Sequence, residues 1–307
     1  MSICKPVFIE GTTLGDTWFQ LLQALHDNGR KKFITEGSYK EATRLSFDDV
    51  SGFIHLPHEK PLAPIMPEGS NLPAPTTDHD IEMYFADYLM NGKIKDNEDY
   101  KYATFIVGGN YYPPGGIRFY DGLDVAYFPI NVPNQLQWII NHFKEKGFGN
   151  EHCYLTVGYP ESNFAYDIPY KTEQERKTSP CLRGLDFGII KNINYKCKNC
   201  GFEYEPFQYE RIIKDNIHHT RFECECITHG FNKSEEDYLL TKVIYRSWDL
   251  WGGWPTNMGG FTLLNEYVAG ELGINPGPLS FTSKSLHCYD FQLEVLKQRL
   301  GKTNEKI

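Results

Sequence analysis

Between Tyr245 and Gln292 the chain strings together Arg246, Ser247, Asp249, Asn257, His287 and Tyr289. A guanidinium, a hydroxyl, a carboxylate, a carboxamide, an imidazole and a phenol form a donor and acceptor set suited to a small polar ligand. A second cluster lies upstream. It comprises Cys197-x2-Cys200-Gly201, Cys224-x-Cys226 and His229. The first cysteine pair with its glycine suits two thiolates gripping one ion in a tight turn. Cys224 and Cys226, if on a strand, point to one face. The spacing predicts a structural zinc held by Cys197, Cys200, Cys224 and Cys226, with His229 a substitute for one of the last two. Reduced thiols without metal and a redox role are the alternatives.

The elements that must position the first cluster are legible nearby. Phe261, Leu264, Val268 and Leu272 repeat at helical period, which predicts a helix over Met258–Leu272, after Asn257 and before Pro276 and Gly277. The polar residues thus fall at element ends, where side chains converge on a ligand while apolar faces are buried. Upstream, Asn134 to Lys144 reads as a helix on Leu136, Ile139, Ile140 and Phe143. Cys153 to Val157 reads as a strand, and Ser179-Pro180-Cys181 leads into a strand-like run, Leu185 to Ile190. Near the start, Trp18, Leu21, Leu22 and Leu25 share one face of a helix that follows Ile9-Glu10-Gly11.

Arg-Ser-x-Asp, then Gly-x-Pro-x-Asn before an amphipathic helix, then a strand ending His-x-Tyr, resembles the nucleotide half of thymidylate synthase. The helix, strand and Pro-Cys order resembles that family's approach to its catalytic cysteine. The resemblance implies a mixed α/β fold in one domain, residues 1–307, with a central sheet, a long helix packed on it and a homodimer formed through the sheet. It also implies transfer of a one-carbon unit from 5,10-methylenetetrahydrofolate to C5 of a deoxyuridylate-type pyrimidine nucleotide. Cys181 would be the nucleophile that adds at C6 and makes C5 enolate-like, with Arg246 close by to favour the charged sulfur. Taken alone, Cys181 could as well be a small buried hydrophobe.

By the same resemblance Arg246 and Ser247 contact the phosphate, His287 and Tyr289 the sugar 3′-hydroxyl, and Asp249 the pterin. Glu82 stands as the general acid, with Asp87 its competitor and a solvated helix carboxylate the structural alternative for either. Asn257 presents one carboxamide to O4 and N3–H of the base. A helix N-cap is its structural alternative, and Asp249 could equally cap a turn at Gly252-Gly253. A nucleotide hydroxymethyltransferase and a pyrimidine-nucleotide-binding protein without catalysis are the competing functions.

Departures from the family pattern are specific. Leu182 follows the cysteine in place of histidine, Tyr245 precedes Arg246 in place of glutamine, and Glu151-His152 stands where paired arginines of the partner subunit reach the phosphate. Arg183 and Lys191 are candidates to compensate. Cys181 and Arg246 are 65 residues apart, which predicts an inserted, zinc-ribbon-like hairpin over residues 195–234. The strand and apolar tail that close over the folate do not follow Leu300.

Composition fits this frame. At 307 residues, 40% hydrophobic and 15% aromatic, the chain can bury a sizeable core. A net charge of −9 argues against broad nucleic-acid binding but permits a local phosphate pocket. No apolar run suggests a signal peptide or membrane span, and the reading is a cytoplasmic protein with reduced thiols. A Pro-rich run over Ser51–His79 reads as a surface loop.

Overall fold

The computed structural model describes residues 3–35, 39–93, 98, 100–111, 117–118, 125–126, 130–159, 179–198, 201–204 and 230–304. From the N-terminus the elements are β1 (Pro6–Gly11), α1 (Leu14–Asn28), β2 (Arg30–Phe33), β3 (Thr43–Ser46), β4 (Asp49–Ile54) and α2 (Asp78–Met83), which runs into a π-helical turn over Tyr84–Leu89. Then come α3 (Ala103–Ile106), β5 (Gly109–Tyr111), β6 (Ile117–Arg118), β7 (Val125–Ala126), β8 (Ile130–Val132), α4 (Gln135–Lys146) and β9 (Tyr154–Thr156). The C-terminal half holds β10 (Leu182–Cys197), β11 (Glu203–Tyr204), β12 (Phe231–Tyr245), β13 (Trp248–Asp249), α5 (Gly253–Leu272), β14 (Asn275–Ser283), β15 (Leu286–Tyr289) and α6 (Leu293–Arg299).

The main sheet runs β1-β4-β14-β12-β10, with β9 and β11 pairing different stretches of the far edge of β10. It is mixed: β1 with β4 and β12 with β14 are parallel, while β4 with β14 and β10 with β12 are antiparallel. The mixed α/β architecture expected from the sequence is therefore present. A second sheet, β13-β15-β3-β2, carries the His287 strand.

Sequence pattern explains the central helix. Trp254, Met258, Phe261, Leu264 and Val268 of α5 are buried and pack with Leu239, Val243, Leu279 and Phe281 from the sheet. Asn265 fixes the register. Its Nδ2 donates to Leu239 O (2.8 Å) and Thr241 Oγ1 (3.0 Å), and its Oδ1 accepts from Gly277 N (3.1 Å), at the irregularity where β12 meets β14. A buried carboxamide with both ends satisfied favours this docking over a slipped one. The other side of α5 is approached closely. A Cβ at Gly259 would lie 2.7 Å from Ile81 and one at Gly260 2.5 Å from Tyr84, so the two glycines let α2 and its π turn rest against the helix.

The helix begins five residues before the expected Met258. Its N-cap is Gly252, and Pro255 sits in the first turn, where a missing N–H costs nothing. Asn257 is thus inside the helix, and the N-cap alternative for it falls. The strand expected over Leu185–Ile190 is part of the much longer β10, paired with β12 from Leu182↔Tyr245 to Cys197↔Phe231. Among the described residues no helix is long and apolar enough to cross a membrane.

Candidate active site

Cys181 sits immediately before β10, half-buried and outside any disulfide. Arg246, at the far end of the paired β12, holds this approach. Its peptide N–H donates to Cys181 O (3.0 Å), its Nε to Pro180 O (3.1 Å) and its Nη2 to Ser179 O (2.8 Å). Two charge-assisted bonds to consecutive carbonyls are stronger than neutral ones and bring the guanidinium to the cysteine approach. Arg183 adds a contact from Nη1 to Ser179 Oγ (3.4 Å). Lys191 lies along the hairpin, ion-paired with Glu235 at 3.3 Å.

Tyrosines wall the other side. The Tyr84–Tyr88 rings stack (5.4 Å between centroids), Tyr88 meets Tyr102 edge-on, and Tyr102 meets Tyr245 at 83°. Tyr102 Oη accepts from Leu182 N (3.3 Å), the peptide next to the cysteine. Burial pushes the hydroxyls of Tyr84, Tyr100, Tyr102 and Tyr245 well above the usual phenol range, so all four are neutral hydrogen-bonding groups. Lys101, fully buried between Tyr100 and Tyr102, binds Asp87 Oδ1 at 3.0 Å and thereby ties this segment to the π turn. Asp87 therefore has a structural partner, and Glu82 stands exposed on α2.

Asn257 faces the same region. Its Oδ1 accepts from Trp248 Nε1 (2.8 Å) and Tyr245 Oη (3.3 Å). Asp249 holds the turn into α5, accepting from Trp251 N (3.2 Å), Gly252 N (3.3 Å) and Gly253 N (3.1 Å). Burial raises its carboxyl, against the lowering effect of Gln292 and those peptide donors. The turn-capping reading of Asp249 is what the structure displays. Ser247 lies half-buried next to Arg246.

On β15, His287 is only 2% exposed. Its Nδ1 lies 3.0 Å from Ser285 O, which fixes that nitrogen as the donor and leaves Nε2 as an acceptor; Nε2 is buried without a partner among the described residues. Burial pushes His287 down to about 4, so the ring is neutral. Tyr289, two residues on, meets the imidazole edge-on (4.8 Å), and burial lifts its hydroxyl to about 12. Opposite Tyr289 across the β15–β3 pairing stands Arg44, a residue the sequence reading missed. Its Nε is buried without a partner among the described residues, and burial lowers its guanidinium, with the nearby Arg246 lowering it further. Two arginines of like charge beside a half-buried thiol make a place for an anion.

For the expected zinc centre, Cys200, Cys224, Cys226 and His229 lie outside the described residues. Cys197 is buried at the end of β10, in a turn closed by Gly201 N to Cys197 O (3.0 Å) with Gly201 at φ +74°. Among the described residues no group of three His, Cys, Asp or Glu side chains is placed to hold a metal.

Residues 213–307, which contain Arg246, Ser247, Asp249, Asn257, His287 and Tyr289, match the family model described as "Thymidylate synthase". The chain is 39% identical over 75 residues to a protein named "Putative thymidylate synthase" from Methanosarcina acetivorans, covering 24% of this chain and 35% of that protein. It is 32% identical over 76 residues to one of the same name from Methanococcoides burtonii, covering 25% and 35%. A "Thymidylate synthase" from Listeria monocytogenes serotype 4a is 30% identical over 69 residues, covering 22% of each chain. The matches thus span about a third or less of the length of these relatives.

Proposed function

We propose that this chain, similar to thymidylate synthase over its C-terminal third, transfers a one-carbon unit to C5 of a deoxyuridylate-type nucleotide with Cys181 as nucleophile. The observation that carries the reading is the clamp of Arg246 on Ser179, Pro180 and Cys181, which joins the matched segment to the cysteine upstream of it. Addition of the Cys181 thiolate to C6 sends the C5–C6 electron pair toward C5 and O4. The Asn257 amide then donates to the developing charge on O4. Bond formation at C5 and loss of the C5 proton would release the carrier nitrogen from the transferred carbon, and uptake of hydride or water at that carbon with expulsion of the Cys181 thiolate would restore the ring double bond.

The polar atoms left over fit the nucleotide. His287 Nε2 has an unfilled lone pair for a sugar hydroxyl, with the Tyr289 hydroxyl beside it. Arg44 Nε, Arg246 and Ser247 offer the phosphate a pair of cations and a hydroxyl. Methylenetetrahydrofolate supplies the electrophilic carbon and, for a methyl product, the reducing hydride. Asp249 and Glu82 are the residues of this chain assigned toward it, and the three peptide donors on Asp249 argue that it acts by shaping the turn.

Two further parts belong to the proposal. A homodimer would cover the face of the main sheet turned away from α5, where Phe8 is 66% exposed and the Phe53, Leu240 and Ile244 side chains are only partly buried. A structural zinc on Cys197, Cys200, Cys224 and Cys226 would close the tip of the hairpin, supported by the glycine turn at Cys197.

The assay is tritium release. Deoxyuridylate labelled at C5 should release its label to water with wild-type protein and methylenetetrahydrofolate, and Cys181→Ala should abolish release. Retention of the label by the wild type would overturn the reading. Spectral appearance of dihydrofolate separates methyl from hydroxymethyl transfer.

A further inference from the structure

The orientation of Asn257 is set by a group that can only donate. An indole N–H has no acceptor capacity, so the carboxamide atom 2.8 Å from Trp248 Nε1 must be the oxygen. Tyr245 Oη lies 3.3 Å from the same oxygen. Trp248 cannot easily yield: it is 3% exposed, stacked on Tyr245 at 3.8 Å and 7°, and held edge-on by Phe281, and its peptide N–H donates to Ser285 O at 2.8 Å. The indole thus holds the Asn257 oxygen toward Trp248 and Tyr245. The carboxamide atom turned away from the indole is the amide nitrogen, a pure donor with two N–H groups, beside the Tyr84 hydroxyl.

We infer that Trp248 is a specificity-determining positioning residue: it locks Asn257 as a donor, so that the site accepts a 4-oxo pyrimidine and rejects a 4-amino one. The inference rests on the proposed placement of the nucleotide base against Asn257. A uracil O4 accepts from the locked amide. A cytosine N4 amine meets it donor to donor, and turning the carboxamide over would set its NH2 against the indole N–H, leaving buried donors unpaired.

The test is calorimetric titration of deoxyuridylate and deoxycytidylate into wild type, Trp248→Phe and Tyr245→Phe. The phenylalanine at 248 retains a ring for stacking and removes the N–H, which frees the carboxamide to rotate. Wild type should favour deoxyuridylate, and Trp248→Phe should reduce the ratio of the two affinities about tenfold, equivalent to about 1.4 kcal/mol. The change should come from tighter deoxycytidylate binding, a signature that a merely weakened fold would not give. Tyr245→Phe, which leaves the indole lock in place, should keep most of the preference; it also serves if the tryptophan variant fails to fold, since loss of preference in it would place the lock elsewhere. An unchanged ratio in folded Trp248→Phe, or no preference in wild type, overturns the inference while leaving the nucleotide reading standing. Failure of wild type to bind either nucleotide overturns both.

Discussion

Acidification should weaken the protein through His287, and the size follows from its burial. The ring is neutral in the fold, with its affinity for a proton pushed down to about 4, against 6.5 for a free histidine. For a base whose folded value is depressed, the unfolded chain binds the extra proton first. The stability contributed by the neutral ring is therefore full above pH 6.5 and is lost as pH falls from there toward 4. The slope approaches about 1.4 kcal/mol per pH unit, so the loss between pH 7.5 and pH 5 is about 2 kcal/mol. Other groups titrate in this range, and the raised carboxyl of Asp249 acts in the opposite sense. A difference measurement removes them: urea unfolding of wild type and His287→Gln at several pH values. The glutamine variant is less stable at pH 7.5, because the packed ring is lost, and the gap between the two proteins should shrink by about 2 kcal/mol at pH 5. A gap independent of pH would show that His287 takes up its proton in the fold as readily as in the unfolded chain, and would remove the argument that its Nε2 is a neutral, desolvated acceptor for a sugar hydroxyl.

Three other outcomes are expected. Gly260→Ala puts a Cβ 2.5 Å from the Tyr84 ring and should cost about 1–3 kcal/mol in unfolding experiments while weakening nucleotide binding, because the displaced ring belongs to the tyrosine wall. Arg44→Ala should lower deoxyuridylate affinity by about tenfold or more in calorimetry, roughly one charge-assisted hydrogen bond, and leave the unphosphorylated nucleoside unaffected; equal losses for both would place Arg44 away from the phosphate. Elemental analysis should give about one zinc per chain, abolished by the double change Cys197→Ser and Cys200→Ser, and zinc-free native protein would refute the metal assignment.

Local pattern carried the central helix, the strand into which Cys181 leads and the polar ends around α5, because each is written in contiguous residues with a helical or alternating period. It misplaced the start of α5. Asn257 looks like a boundary, but the side chain that holds the turn is Asp249, reaching three peptide N–H groups ahead of the helix. Arg44 was beyond reach: nothing in Thr43–Ser46 marks chemistry, and its place opposite Tyr289 comes from pairing with a strand some 240 residues later. The recurrence of Tyr84, Tyr88, Tyr100 and Tyr102 was a signal that could have been read, since aromatic side chains this dense on short elements must share one wall. The locking of Asn257 depends on Trp248 and Tyr245 meeting it across two elements, which no spacing rule gives.

The central claim is that Cys181 adds to C6 of a pyrimidine nucleotide. The most direct measurement is mass spectrometry of protein incubated with 5-fluorodeoxyuridylate and methylenetetrahydrofolate, because fluorine cannot leave C5 as the proton does and the adduct is trapped. The account predicts a covalent adduct on the peptide containing Cys181, absent from Cys181→Ala and reduced in Arg246→Ala. Labelling of another cysteine, or an unmodified protein, would contradict it.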